Sequence, residues 1–158
     1  MRIQAGLNGV FDRLKIIQAS ASHRVGWSDM VDAGVQSAKY FVPPAAATPT
    51  RELTRTRAVT IDALAEQLGA RPTHIKIDVE GSEADVLQGG RTTLARNDGP
   101  LLFIELHNRM IVERGGIPEH TLALLREFGY ATYSTDGRPI EASGILEKPL
   151  VRIMARVR

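Results

Sequence analysis

At 158 residues the chain fits one domain and can bury an ordinary hydrophobic core, and the absence of cysteine excludes disulfides and thiolate metal centres. Lys and Arg outnumber Asp and Glu by only 20 to 18, too even a balance for a general nucleic-acid binder. There is no apolar run of about 18 residues to span a membrane and no signal-peptide core after Met1, so a soluble cytoplasmic protein is expected.

Ile3 and Leu7 have helical spacing, and Asn8-Gly9 reads as the helix stop. Leu14 to Ala19 reads as a strand after a turn at Asp12-Arg13. From Ser20 to Gly34, around Trp27, no period can be counted and a loop is expected. Tyr40-Phe41-Val42 is a brief apolar island. Residues 43–58 read as a flexible connector, because the prolines between Pro43 and Thr50 forbid regular pairing. Arg51, Arg55 and Arg57 read as a solvated face rather than a phosphate site. Ile61, Leu64, Ala65 and Leu68 then form a helical stripe ending at Gly69, and Arg71-Pro72 imposes an extended exit.

His74 to Glu83 is the focal stretch. Ile75, Ile77 and Val79 alternate with His74, Lys76, Asp78 and Glu80 as in a strand, and Gly81 ends the run. Ser82 stands at a helix N-cap position with Asp85 three residues on, as in a capping box, and Glu83 brings negative charge to the first turn. The helix is expected to run from about Glu83 to Arg96. Gly89-Gly90 interrupts its stripe, which implies close approach of another backbone.

After the turn at Asn97 to Pro100, Leu101 to Leu106 reads as a central strand covered on both faces, with Glu105 and His107 at its carboxyl end. Pro118 to Phe128 reads as a helix stopped by Gly129, Tyr130 to Ser134 as a strand, and Asp136-Gly137 as a turn. In Val151 to Val157 alternating arginines indicate a late antiparallel or edge strand with one wet face. Strands alternating with helices predict an α/β fold with a mostly parallel sheet.

If the two strands are neighbours, Asp78 and Glu80 meet Glu105 and His107 in one crevice, at the strand ends where open α/β sheets bind ligands. Such a group suits a general base, a clamp for a cationic or hydroxyl ligand, or oxygen-rich metal ligation, and spacing does not choose among them. The plainer alternatives are ion pairs of Asp78 or Glu80 with Lys76 or nearby arginines, a helix-dipole role for Glu83, and an idle strand-end His107.

Ile75 to Glu83, continued by Val86-Leu87-Gln88-Gly89-Gly90 and by Pro100 to His107, closely resembles the signature of the FkbM-type methyltransferases. Val59 to Leu64 and, more weakly, Asn8 to Ser20 resemble further family segments. The resemblance implies a Rossmann-like, seven-stranded class I methyltransferase using S-adenosylmethionine. Its acceptor would be a hydroxyl on a sugar, lipid or natural product, with no nucleic-acid partner. Carried over by position, Ala19, Ser20 and Asp78 fall at the cofactor, and Glu80, Glu105 and His107 on the acceptor side. Asp78, Glu80 and His107, in that order, are the catalytic candidates. No residue is assigned to a metal.

Complete members begin with a strand, an Asp-x-Gly-x-x-x-Gly loop and a second strand ending in an acidic residue. That pattern is not found in these residues. A single domain over 1–158 is therefore expected to correspond to the C-terminal two-thirds of the fold, incomplete at the N-terminus. Two other readings stay open. One is a noncatalytic α/β remnant or interaction module, with an exposed sheet edge available for oligomerisation; the other is a carboxylate-rich hydrolase or metal site.

Overall fold

The strands sort into two mixed sheets. A computed structural model describes residues 2–31, 40–41 and 53–158. Helix α1 (Arg2–Leu7) stops at Gly9, whose φ of +62° is readily adopted by glycine, and a short 3-10 turn (Phe11–Arg13) follows. The first sheet contains β1 (Ser20–Ala21), β2 (Gly26–Val31), β3 (Tyr40–Phe41) and β4 (Leu53–Val59) in the order β1-β4-β2-β3. Only β1 and β4 run parallel; β2 is antiparallel to both of its neighbours. The Arg55 guanidinium lies over the exposed Trp27 ring, 5.1 Å from its centre, and Arg55 and Arg57, expected on a solvated face, both line a cleft.

Helix α2 (Ile61–Leu68) is closed at both ends by its own sequence. The Thr60 side chain accepts from Ala63 N–H, and Gly69 takes the left-handed conformation. The second sheet contains β5 (His74–Ile77), β6 (Leu101–Leu106), β7 (Tyr130–Ser134) and β8 (Val151–Val157), ordered β5-β6-β8-β7. Strands β5 and β6 are parallel, so the chain must cross over between them, and it does so through α3 (Glu83–Gln88) and α4 (Arg91–Leu94). Strand β8 lies antiparallel between β6 and β7.

Leu102, Ile104 and Leu106 on alternate positions of β6 face Leu87 of α3 and Leu122 and Leu125 of α6 (Pro118–Glu127) in one buried cluster. Each side chain so buried contributes roughly 1.5–3 kcal/mol of hydrophobic stabilisation. Helix α5 (Asn108–Glu113) is fixed by buried Asn108, whose amide donates to the carbonyls of Ile145 and Lys148, each at 2.8 Å, around α7 (Ala142–Leu146).

The two sheets meet where Gly89 follows α3. A Cβ at Gly89 would stand 2.1 Å from the Ser22 carbonyl oxygen, so only glycine lets the loop after β1 come this close. Asp62 of α2 accepts from the backbone N–H groups of Thr92 and Thr93 and so caps α4 from another helix.

Several expectations are corrected. The sheets are mixed rather than mostly parallel, and among the described residues two four-stranded sheets stand where one of seven strands was implied. Leu14 to Ala19 makes no ladder; pairing begins at Ser20, and the supposed loop from Ser20 contains β1 and β2. Of the expected connector over 43–58, residues 53–58 belong to β4, and 43–52, with Arg51, lie outside the described residues. The long helix after Glu83 is two short ones, broken at the glycine pair. One face of β6 is open enough to leave Phe103 37% exposed, where it stacks on His74. Helices α5 and α7 carry too weak a period to be read in advance.

Candidate functional site

The loop before β1, the edges of β2 and β4, and the segment after β5 enclose a cleft of about 640 Å³. Ala19 and Ser20 line one wall; Asp78, Glu80, Ser82 and Asp85 line the other. His23 reaches Asp85 at 3.3 Å and ties the walls together at the rim. Ser20 Oγ lies 3.2 Å from both Ser28 Oγ and the Arg57 carbonyl, so that its position is set by β2 and β4. The residues expected at the cofactor and the two leading catalytic candidates thus share one cavity.

Glu80 occupies the left-handed region, at φ +49°, rare for a residue with a side chain. Its Oε2 is buried and has no hydrogen-bond partner. An acceptor held in that state within a cleft is a polar group awaiting a donor.

Asp78, immediately beyond β5, has two different sides. Oδ2 takes the Lys76 ammonium at 2.8 Å, the plain ion pair anticipated from the sequence, and that hydrogen bond raises the Lys76 pKa. Oδ1 lies 4.0 Å from His107 Nε2. His107 is only 8% exposed and forms the N-cap residue of α5 directly after β6.

The counterpart of His107 is Glu83. Its carboxylate, fully buried, places Oε1 2.8 Å from His107 Nδ1 and also accepts Gly81 N–H at 3.0 Å. Gly81 permits this approach through a φ of +99° and a bare Cα against α5, where a Cβ would stand 3.2 Å from Ile111 N. Because a carboxylate oxygen accepts, Nδ1 donates in this pair, and Nε2 is the nitrogen turned towards Asp78. The expected capping role of Ser82 is corrected here: its side chain makes no cap bond, and Glu83 folds inward instead of serving as a surface helix-dipole partner.

Glu105 is gripped by Arg152 of β8 through Nε–Oε2 at 3.0 Å and Nη2–Oε1 at 2.9 Å. One ligand atom each from Asp78, Glu105 and His107 lies within 4.8 Å of the others. Glu105 and His107 stand behind Asp78 rather than in the cleft lining, so Asp78 is common to both groups.

The family model described as Methyltransferase FkbM domain matches residues 1–132, taking in both walls of the cleft, the Glu83–His107 pair and Glu105. The chain belongs to the FkbM methyltransferase family. No curated protein and no solved structure matches it.

Within this FkbM domain, Asp78 and Glu80 follow β5, and Glu105 and His107 stand at the end of β6, where the sequence led us to expect them; Ala19 and Ser20, expected after a strand, stand instead where β1 begins. Sequence reasoning missed Glu83 as the partner of His107 and Arg152 as the clamp on Glu105. The alternating arginines of Val151 to Val157 were the available signal for the clamp. Among the described residues of the FkbM chain, no helix is long and apolar enough to cross a membrane.

Proposed function

We propose that the protein is an S-adenosylmethionine-dependent methyltransferase acting on a hydroxyl oxygen of a sugar, lipid or natural product. One observation carries this reading: Asp78 is shared between the cleft containing Ala19 and Ser20 and the cluster containing His107. Family membership supports the reaction class.

The cleft volume lies within the roughly 300–1,000 Å³ usual for small-molecule sites. Its acceptors fit a cationic, hydroxyl-bearing donor, above all Glu80 Oε2, buried without a partner. When bound there, S-adenosylmethionine supplies a methyl group activated on a sulfonium. Glu80 receives a hydrogen bond from the ligand, and Ser20 holds the wall opposite. Asp78 Oδ1 orients the acceptor hydroxyl and takes its proton, while Glu83 keeps His107 Nε2 turned towards the same point. Alignment and disposal of one proton are what such a displacement asks of a protein.

Calorimetric titration with S-adenosylmethionine tests the reading. Saturable binding is expected, lost in Ala19→Trp, which fills the cleft, and kept in Asp78→Asn. In the latter, release of S-adenosylhomocysteine with a panel of monosaccharide and glycolipid acceptors falls by about 10²–10⁴-fold, the usual contribution of a general base. Absence of donor binding at millimolar concentration would leave the interaction-module reading in its place.

A further inference from the structure

From the cluster behind the cleft we infer that Asp78, Glu105 and His107 form a binding site for a divalent first-row transition ion, with Glu83 positioning the imidazole.

The three ligand atoms lie within 4.8 Å of one another. Three ligands of one ion, each about 2.1 Å from it, stand about 3.0–3.6 Å apart, so the set closes by a contraction of about an ångström. Asp78 can supply it, because its side chain is 40% exposed and Oδ1 already lies 4.0 Å from His107 Nε2.

The imidazole distinguishes this cluster from an ordinary patch of acids. His107 is nine-tenths buried, and its Nε2 makes no hydrogen bond among the described residues although Asp78 Oδ1 lies 4.0 Å from it. Its other nitrogen is engaged by buried Glu83 at 2.8 Å. A carboxylate behind a histidine fixes the tautomer and raises the basicity of the outward nitrogen, the usual support of a metal-ligating imidazole.

Two cations oppose an ion here, Lys76 on Asp78 Oδ2 and Arg152 on Glu105. Lys76 is about two-thirds exposed and its single contact with Asp78 is weak, so it can swing into water; Arg152 grips both oxygens of a Glu105 only 15% exposed, and an ion must share that carboxylate with it. Each carboxylate oxygen also keeps a second lone pair for a ligand. One nitrogen with two carboxylates suits manganese, iron or zinc better than magnesium, which prefers oxygen alone.

The use of the ion rests on the methyl-transfer reading; its binding does not. Bound beside the cleft, it would hold the acceptor hydroxyl and make it more acidic, and Asp78, with one oxygen on the ion, would take the proton on its other oxygen.

The test is titration of the metal-stripped full chain with MnCl₂, followed by the electron paramagnetic resonance of free Mn²⁺, with neither donor nor acceptor present. One ion per chain is expected. Asp78→Asn and Glu105→Gln each weaken binding at least about tenfold, Glu83→Gln weakens it about 10–100-fold with circular dichroism unchanged, and His120→Ala, on the exposed side of α6, leaves it unaltered. Lys76→Met tightens it. No binding at millimolar Mn²⁺, or equal binding by the wild-type chain, Asp78→Asn and Glu105→Gln, overturns the site. Displacement by an equal concentration of Mg²⁺ overturns the assignment of His107 as a ligand. None of these outcomes bears on donor binding, which the calorimetry measures separately.

Discussion

Glu83 Oε1 and His107 Nδ1 lie 2.8 Å apart, joining the first residue of α3 to the residue that opens α5, 24 positions later. The bond crosses the interior beneath the ends of β5 and β6 and fixes which nitrogen of His107 faces Asp78.

Glu83→Gln is expected to lower stability by roughly 1–3 kcal/mol, because a buried hydrogen bond to a charged acceptor is replaced by a neutral one. Nitrogen-15 spectra of the imidazole should show the two tautomers becoming mixed. Urea denaturation reads the stability change; unchanged tautomer populations would remove Glu83 from control of His107.

Gly89→Ala should be damaging although alanine is the better helix former by about 1 kcal/mol. The new methyl would stand 2.1 Å from the Ser22 carbonyl, a backbone atom that cannot rotate away. The loop carrying Ser22 and His23 must move, and the cleft deforms with it. Loss of ligand binding with the second sheet still folded is the expected pattern, seen as shifted amide resonances confined to Ala19 through Arg24 and residues near Gly89.

Asp62 confers a pH dependence. Burial pushes its pKa up, but hydrogen bonds from Thr93 and Thr92 outweigh this and hold the carboxyl below its usual value. A group depressed in the folded state stabilises fully above its unfolded value near 3.8, and that stabilisation disappears as pH falls through the folded value. Asp62→Asn should therefore cost about 1 kcal/mol at neutral pH and make little difference in strong acid. Denaturation curves of both chains at pH 7 and pH 2.5 check this; parallel losses at the two values would refute it.

The His74-to-Gln88 unit is legible because its signals are local: alternation in β5, a glycine with positive φ, then an apolar stripe on α3. Neighbouring parallel strands then bring Asp78 and His107 together without further information. Strand β2 is hidden for the opposite reason. Its buried position is taken by Ser28 while Trp27 is 56% exposed, so hydrophobicity runs against the pleat and no period survives. Glu83 misleads because an acid in a first helical turn is ordinarily a surface feature; its partner lies across the core, where only tertiary structure reveals it. Pairing in the first sheet depends on β4, which joins β1 to β2 through residues far apart in sequence.

The cleft is walled by segments from both sheets, held together by the Ser22–Gly89 approach and the His23–Asp85 contact. Any molecule that touches both walls is therefore thermodynamically linked to their separation: the free energy by which closure favours the ligand is the free energy by which the ligand favours closure. Amide exchange at the seam should slow on binding by the same factor that loosening the seam weakens affinity, which makes the seam a reporter of occupancy that requires no knowledge of the reaction.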